Sequence, residues 1–168
     1  VHNPGSNMML ASGVAPIAEM RKRGIPVGLG TDGPAGSNND FNLFEEMDLA
    51  AKLQKVSRMD PTALSAPEAF AMATIEGARA IGMEAEVGSL ETGKRADWAV
   101  LDANALNATP MFDVYSQIVY AFKGANVKDV MVNGILQVRN GKLVNDIRAE
   151  LRKRAEEFQK STETSLKK

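Results

Sequence analysis

Apolar positions change their spacing about half-way along the chain, and the elements they predict change with them. Val14 to Arg23 reads as a helix: Pro16 suits a first turn, the cations Arg21, Lys22 and Arg23 gather where the helix dipole favours them, and Gly24 stops it. The short apolar run Ile25 to Leu29 then predicts a strand buried on both faces that delivers Gly30-Thr31-Asp32-Gly33 at its C-terminal end. After a loop from Pro34 to Asp40, Leu43, Met47, Ala50 and Ala51 fall at helical spacing, widened by Phe44 and Leu53, and predict a long helix over Phe41 to Val56 with Asp40 as its N-cap. Ser65-Ala66-Pro67-Glu68 starts a helix that runs to about Thr74, and a shorter one follows from Glu76 to Ile81.

Beyond a boundary near Met83 to Glu86 the runs are short. Gly88-Ser89-Leu90, Ala96 to Leu101, Val127 to Val132, Ile135 to Val138 and Lys142 to Val144 read as strands, and Asn133-Gly134 and Asn140-Gly141 are strong hairpin signals. Asp146 to about Gln159 alternates charges around Ile147, Leu151, Ala155 and Phe158, which predicts a closing amphipathic helix, with a frayed tail from Ser161 to Lys168. The fold class is α/β in the first half, with a small antiparallel sheet and a helix after it.

Composition narrows the chemistry. With 44% hydrophobic and 24% charged residues the 168-residue chain is globular in type, and no apolar run reaches the roughly 18 to 20 residues of a membrane span. Twenty Lys and Arg against 21 Asp and Glu leave a charge of −1, so no single-sign field gathers nucleic acid or an acidic membrane. Zero cysteines exclude disulfides, thiolate metal sites and cysteine nucleophiles. One histidine is a tighter limit, because a catalytic zinc takes about three protein ligands with imidazole prominent among them.

Asp32 is the sharpest candidate for chemistry. A carboxylate after a buried strand, flanked by glycines, suits a divalent metal or proton acceptance, but the same residue could simply cap the turn that follows. His2 is either a pocket residue or a packing histidine, and Asn3, Ser6 and Asn7 either orient a substrate or satisfy a tight turn. Glu45 and Glu46 read as a charge complement to the first turn of the long helix. Trp98, Tyr115 and Tyr120 are too scattered for a base-stacking platform.

The ordered set His2-Asn3-Pro4-Gly5-Ser6-Asn7, Leu10-Ala11-Ser12-Gly13, Gly30-Thr31-Asp32-Gly33 and Phe44-Glu45-Glu46-Met47 resembles the amidohydrolase superfamily, in the branch of the 5-methylthioadenosine/S-adenosylhomocysteine deaminases and triazine chlorohydrolases. Gly88 to Asp102 and Val130-Met131-Val132-Asn133-Gly134 are similar to that family's later motifs. The resemblance implies a (β/α)₈ barrel with a small β-sandwich, of which this chain supplies a C-terminal share. Residues 1–84 would be the last barrel elements, 85–145 part of the sandwich and 146–168 the closing helix and tail. It implies zinc or another divalent ion that activates water for attack on an sp² carbon. Asp32 matches the aspartate that binds the metal and takes a proton, while His2, with Asn3, Ser6 and Asn7, shapes the pocket.

The family's other metal-binding histidines and its catalytic glutamate have no counterpart here, so residues 1–168 alone are expected to bind zinc weakly or not at all. The expected reaction is hydrolytic deamination of an aminopurine nucleoside of the methylthioadenosine or S-adenosylhomocysteine type. Dechlorination or cyclic-amide hydrolysis is the alternative within the superfamily, and a non-enzymatic interaction module the alternative outside it. The partner is a small heterocyclic substrate, with neither nucleic acid nor membrane. Enzymes that this chain resembles commonly form homo-oligomers, which no residue pattern here shows. The absence of a signal pattern and of cysteine points to the cytoplasm.

Overall fold

A computed structural model describes residues 1–34 and 36–166; Ala35 of the predicted loop and Lys167 and Lys168 of the predicted tail lie outside the described residues. The first part is helical. Helices α1 (Pro4–Met9), α2 (Ile17–Lys22), α3 (Leu43–Arg58), α4 (Ala66–Ala73) and α5 (Ile75–Ala80) precede strand β1 (Trp98–Leu101). A short α6 (Val114–Ser116) runs on into a π turn over Gln117–Ala121, then β2 (Val127–Val132), β3 (Ile135–Arg139), β4 (Lys142–Leu143) and α7 (Arg148–Leu166) complete the order.

Two apolar clusters make the core. Ile17, Val27, Ala50, Leu64 and Met72 tie α2, α3, α4 and the segment before Asp32 together. Met47, Ala51, Ala66 and Ala69 pack with Val119 of the π turn, so α3 and α4 form the layer on which both flanks rest. The small side chains Ala50, Ala51 and Ala69, all fully buried, let the helices approach closely. Gln54, also buried, donates to the Ala15 carbonyl at 2.8 Å and so pins α3 to the start of α2.

The predicted strand Ile25 to Leu29 makes a single bridge among the described residues, His2 beside Leu29 in parallel. The His2 N–H donates to the Gly28 carbonyl at 2.8 Å and the Gly30 N–H to the His2 carbonyl at 3.0 Å. A strand needs a neighbour, and within these residues only the stretch around His2 lies alongside. The Leu29 N–H instead donates to the Met72 carbonyl at the end of α4, at 3.0 Å. Backbone meets backbone where Gly28 faces Gly77 of α5: a Cβ on Gly28 would lie 2.9 Å from the Gly77 Cα.

The antiparallel sheet has the order β1-β2-β3-β4. Asn133-Gly134 and Asn140-Gly141 form its tight turns with positive φ at both residues of each, as the hairpin signals predicted. Gly88-Ser89-Leu90 is not a strand; it is a bend in which Gly88, at φ +94°, passes close to α5. The closing helix begins at Arg148 and continues through the predicted frayed tail to Leu166, where the Thr162, Thr164 and Ser165 hydroxyls donate to carbonyls one turn earlier. None of its residues is buried.

The long helix starts two residues later than predicted from Asp40. Asn42 is the N-cap, accepting the Phe44 N–H at 3.2 Å, whereas the Asp40 N–H is held by the Asn38 side chain. Asn42→Ala is therefore expected to cost about 1 kcal/mol, and Asp40→Ala less than about 0.5, in urea unfolding. Equal effects from both would refute this assignment of the cap.

Candidate active site

Asp32 follows the segment that bridges to His2 at Leu29, with its backbone in the left-handed region, φ +61°. Aspartate tolerates that region better than most residues, and the Thr31 hydroxyl donates to the Asp32 carbonyl at 3.1 Å. The carboxylate is exposed. One oxygen accepts the Ser6 hydroxyl at 2.8 Å and the other the Gly33 N–H at 2.9 Å, so each keeps a free lone pair. The Ser6 hydroxyl, with smaller contributions from Ser37 and the Gly33 N–H, holds the Asp32 carboxyl below the usual carboxylate range. It is an anion at neutral pH. Ser6→Ala is expected to raise the Asp32 pKa, as read by carboxyl carbon NMR; an unchanged titration would show that Ser6 does not act on it.

The other predicted pocket residues do not converge on that carboxylate. His2 is 3% exposed, and neither ring nitrogen has a hydrogen-bond partner among the described residues. Burial keeps its imidazole below the ordinary value. Asn3 Oδ1 is likewise buried without a partner, close against Gly30. Asn7 serves through its backbone, donating to the Asn3 carbonyl at 3.0 Å and accepting the Ser12 N–H at 2.9 Å. Among the described residues, Ser6 alone of the four touches the Asp32 side chain.

Glu46, and Asn38 of the polar loop before α3, complete the surroundings. Glu46 on α3 is 2% exposed; its Oε2 accepts the Gly5 N–H at 2.9 Å and its Oε1 the Asn38 side-chain amide at 2.9 Å. Burial pushes the Glu46 carboxyl up, and the Gly5 and Asn38 hydrogen bonds oppose it. The Asn38 amide also donates to the Thr31 carbonyl at 2.8 Å. Beside them runs an open groove of about 420 Å³, lined by Gly5, Met8, Met9, Asn42, Glu45 and Leu49 among others. A glutamate read as a charge complement to the first turn of its helix is thus an interior brace.

The profile described as Amidohydrolase family matches residues 1–144. The chain belongs to the amidohydrolase family. It is similar to 5-methylthioadenosine/S-adenosylhomocysteine deaminase 1 of Syntrophus aciditrophicus, at 49% identity over 86% of this chain and 32% of that protein. It is similar to 5'-deoxyadenosine deaminase of Methanosarcina acetivorans, at 50% identity over 83% of this chain and 32% of that protein. Among solved structures, an adenosine deaminase from Xanthomonas campestris with bound zinc superposes with a TM-score of 0.93 at 37% identity, over 97% of this chain and 37% of that one. An atrazine chlorohydrolase from Arthrobacter aurescens in complex with zinc gives 0.82 at 30% identity, over 90% and 34%. This amidohydrolase chain thus spans about a third of the relatives it matches.

The donor chemistry of the amidohydrolase chain fits zinc in part. Asp32 offers an exposed, ionised carboxylate with a free lone pair on each oxygen, which suits one ligand position. Among the described residues no three His, Cys, Asp or Glu side chains form a group that could hold a metal ion. One carboxylate is a share of a site, and zinc needs about three protein donors.

Proposed function

We propose that this chain supplies the metal-binding, proton-accepting aspartate of an amidohydrolase that deaminates an aminopurine nucleoside of the methylthioadenosine or S-adenosylhomocysteine type. The observation that carries the reading is the Asp32 carboxylate: anionic, exposed, and fixed by Ser6 and Gly33 at the end of a segment that runs parallel to His2. In an α/β barrel that is where catalytic groups sit. The deaminase names of relatives at close to half identity support the nucleoside substrate.

Residues 1–84 are read as the last elements of the barrel, 85–145 as part of a small β-sandwich and 146–168 as a closing helix and tail. Asp32 would hold zinc or another divalent ion, and the ion, when bound, activates water toward an sp² carbon. The chain's own part is to present one carboxylate oxygen, to accept a proton there, and to keep the carboxylate still through Ser6. In this reading His2, Asn3 and Asn7 belong to the wall of the pocket; the His2 ring nitrogens and Asn3 Oδ1 are buried without a hydrogen-bond partner among the described residues. The cytoplasm is the proposed compartment; no helix among the described residues is long and apolar enough to cross a membrane.

The test is ammonia release by the holoenzyme carrying this sequence, offered methylthioadenosine, S-adenosylhomocysteine, 5'-deoxyadenosine, guanine and a chlorotriazine. Ammonia from an adenine nucleoside is expected. Chloride release without ammonia from any amine would replace this reading with the chlorohydrolase one, which the superposition on atrazine chlorohydrolase favours as second choice. No turnover of any substrate by metal-loaded protein would leave an interaction module.

A further inference from the structure

We propose that Glu46 is a positioning residue for Asp32, a single buried carboxylate on α3 that fixes both the helix carrying Ser6 and the backbone carrying Asp32. This rests on the reading of Asp32 as the chemical centre. Two routes lead from Glu46 to that centre. Through Oε2 it accepts the N–H of Gly5, the residue next to Ser6, whose hydroxyl bonds Asp32. Through Oε1 it accepts one N–H of Asn38, whose other N–H goes to the carbonyl of Thr31, the residue before Asp32. The Asn38 carbonyl is engaged as well, by the Asp40 N–H at 3.0 Å, so the amide has one orientation and no spare donor.

The local sequence is fitted to this clamp. A Cβ on Gly5 would collide with the Glu46 carboxylate as it now lies, so glycine leaves the carboxylate room beside that N–H. Burying a carboxylate is costly unless every lone pair that matters is used, and packing alone would be served more cheaply by leucine or methionine. Glutamine is no substitute, since both Glu46 oxygens face donors and an amide nitrogen would confront one of them. Glu46 touches neither oxygen of Asp32; it acts through Ser6 and Thr31.

The experiment compares wild type, Glu46→Gln, Asn38→Ala and the double variant in the holoenzyme, with Lys52→Gln on the exposed side of α3 as control. Three readouts are taken at a temperature where circular dichroism shows each protein folded: zinc affinity by chelator competition, kcat and KM, and amide hydrogen exchange of the metal-free protein. Glu46→Gln is expected to weaken zinc binding and lower kcat about 10-fold to 100-fold, with KM changed less than about 3-fold. It is expected to speed exchange at the Gly33 amide as well as at Gly5. The double variant should be no worse than about twice the poorer single one, because both substitutions cut the same Glu46–Asn38–Thr31 route.

Wild-type zinc affinity and kcat in folded Glu46→Gln would overturn the proposal. So would faster exchange confined to Gly5, which is the signature of a helix brace with no reach to Asp32. A wild type that binds no zinc and releases no ammonia would sink the deaminase reading instead. Exchange at Gly33 would then still decide whether Glu46 positions Asp32.

Discussion

Asp32→Asn in the holoenzyme is expected to lower kcat by about 10³-fold, within the roughly 10² to 10⁴ that a positioned proton acceptor contributes. Asparagine is the informative replacement. It tolerates φ +61°, keeps one oxygen for Ser6 or Gly33 and adds no bulk, so the backbone is retained while the negative charge and the proton-accepting oxygen are lost. Alanine would add backbone strain of about 1 kcal/mol to the chemical loss and blur the two. Steady-state kinetics and metal analysis check the expectation. A variant that keeps a tenth of wild-type kcat with full metal content would remove Asp32 from the centre of the mechanism.

Met72→Ala is expected to be the most damaging single truncation in the core, at about 2–5 kcal/mol. Its side chain is fully buried among Ile17, Val27, Ala50 and Leu64, drawn from four separate stretches of chain, so no local shift can fill the space. The same residue's carbonyl accepts the Leu29 N–H, and that segment leads to Asp32. Loss of packing here should therefore loosen the approach to the candidate site as well as lower stability. Urea unfolding checks it: a lower midpoint with an unchanged slope is expected, against a shift of under about 0.5 kcal/mol for the exposed Val56→Ala. A Met72→Ala midpoint within that small range would mean that the cluster repacks freely.

What the sequence made legible was local. Asn133-Gly134 and Asn140-Gly141 announce turns because few other residue pairs accept left-handed backbone twice in succession. Glu68 reaches back to the Ser65 N–H at 2.7 Å, as a Ser followed three residues later by Glu implies. Asp32 stood out by its motif. Glu46 did not, because its partner Gly5 lies 41 residues away and a first-turn glutamate has an ordinary explanation in the helix dipole. The extent of the Ile25–Leu29 strand was hidden for a related reason. An apolar run shows that a segment is buried, while pairing is decided by what lies beside it. The cap of α3 was a choice between two polar residues two positions apart, which only the hydrogen bonds of Asn38 and Asn42 resolve.

Helix α7 is 19 residues long and buries none of them, and this governs how any melting curve of these residues must be read. Its hold on the helical state comes from local ion pairs such as Arg154 with Glu150, which salt weakens, and not from the core that Met72 anchors. It will unwind gradually, from its ends, while the two apolar clusters open cooperatively. Ellipticity at the helical wavelength adds the two processes together, so a midpoint taken from it would be an average belonging to neither. Probes seated in the α3–α4 layer would report the fold, and the salt dependence of the early, sloping part of the curve would report α7.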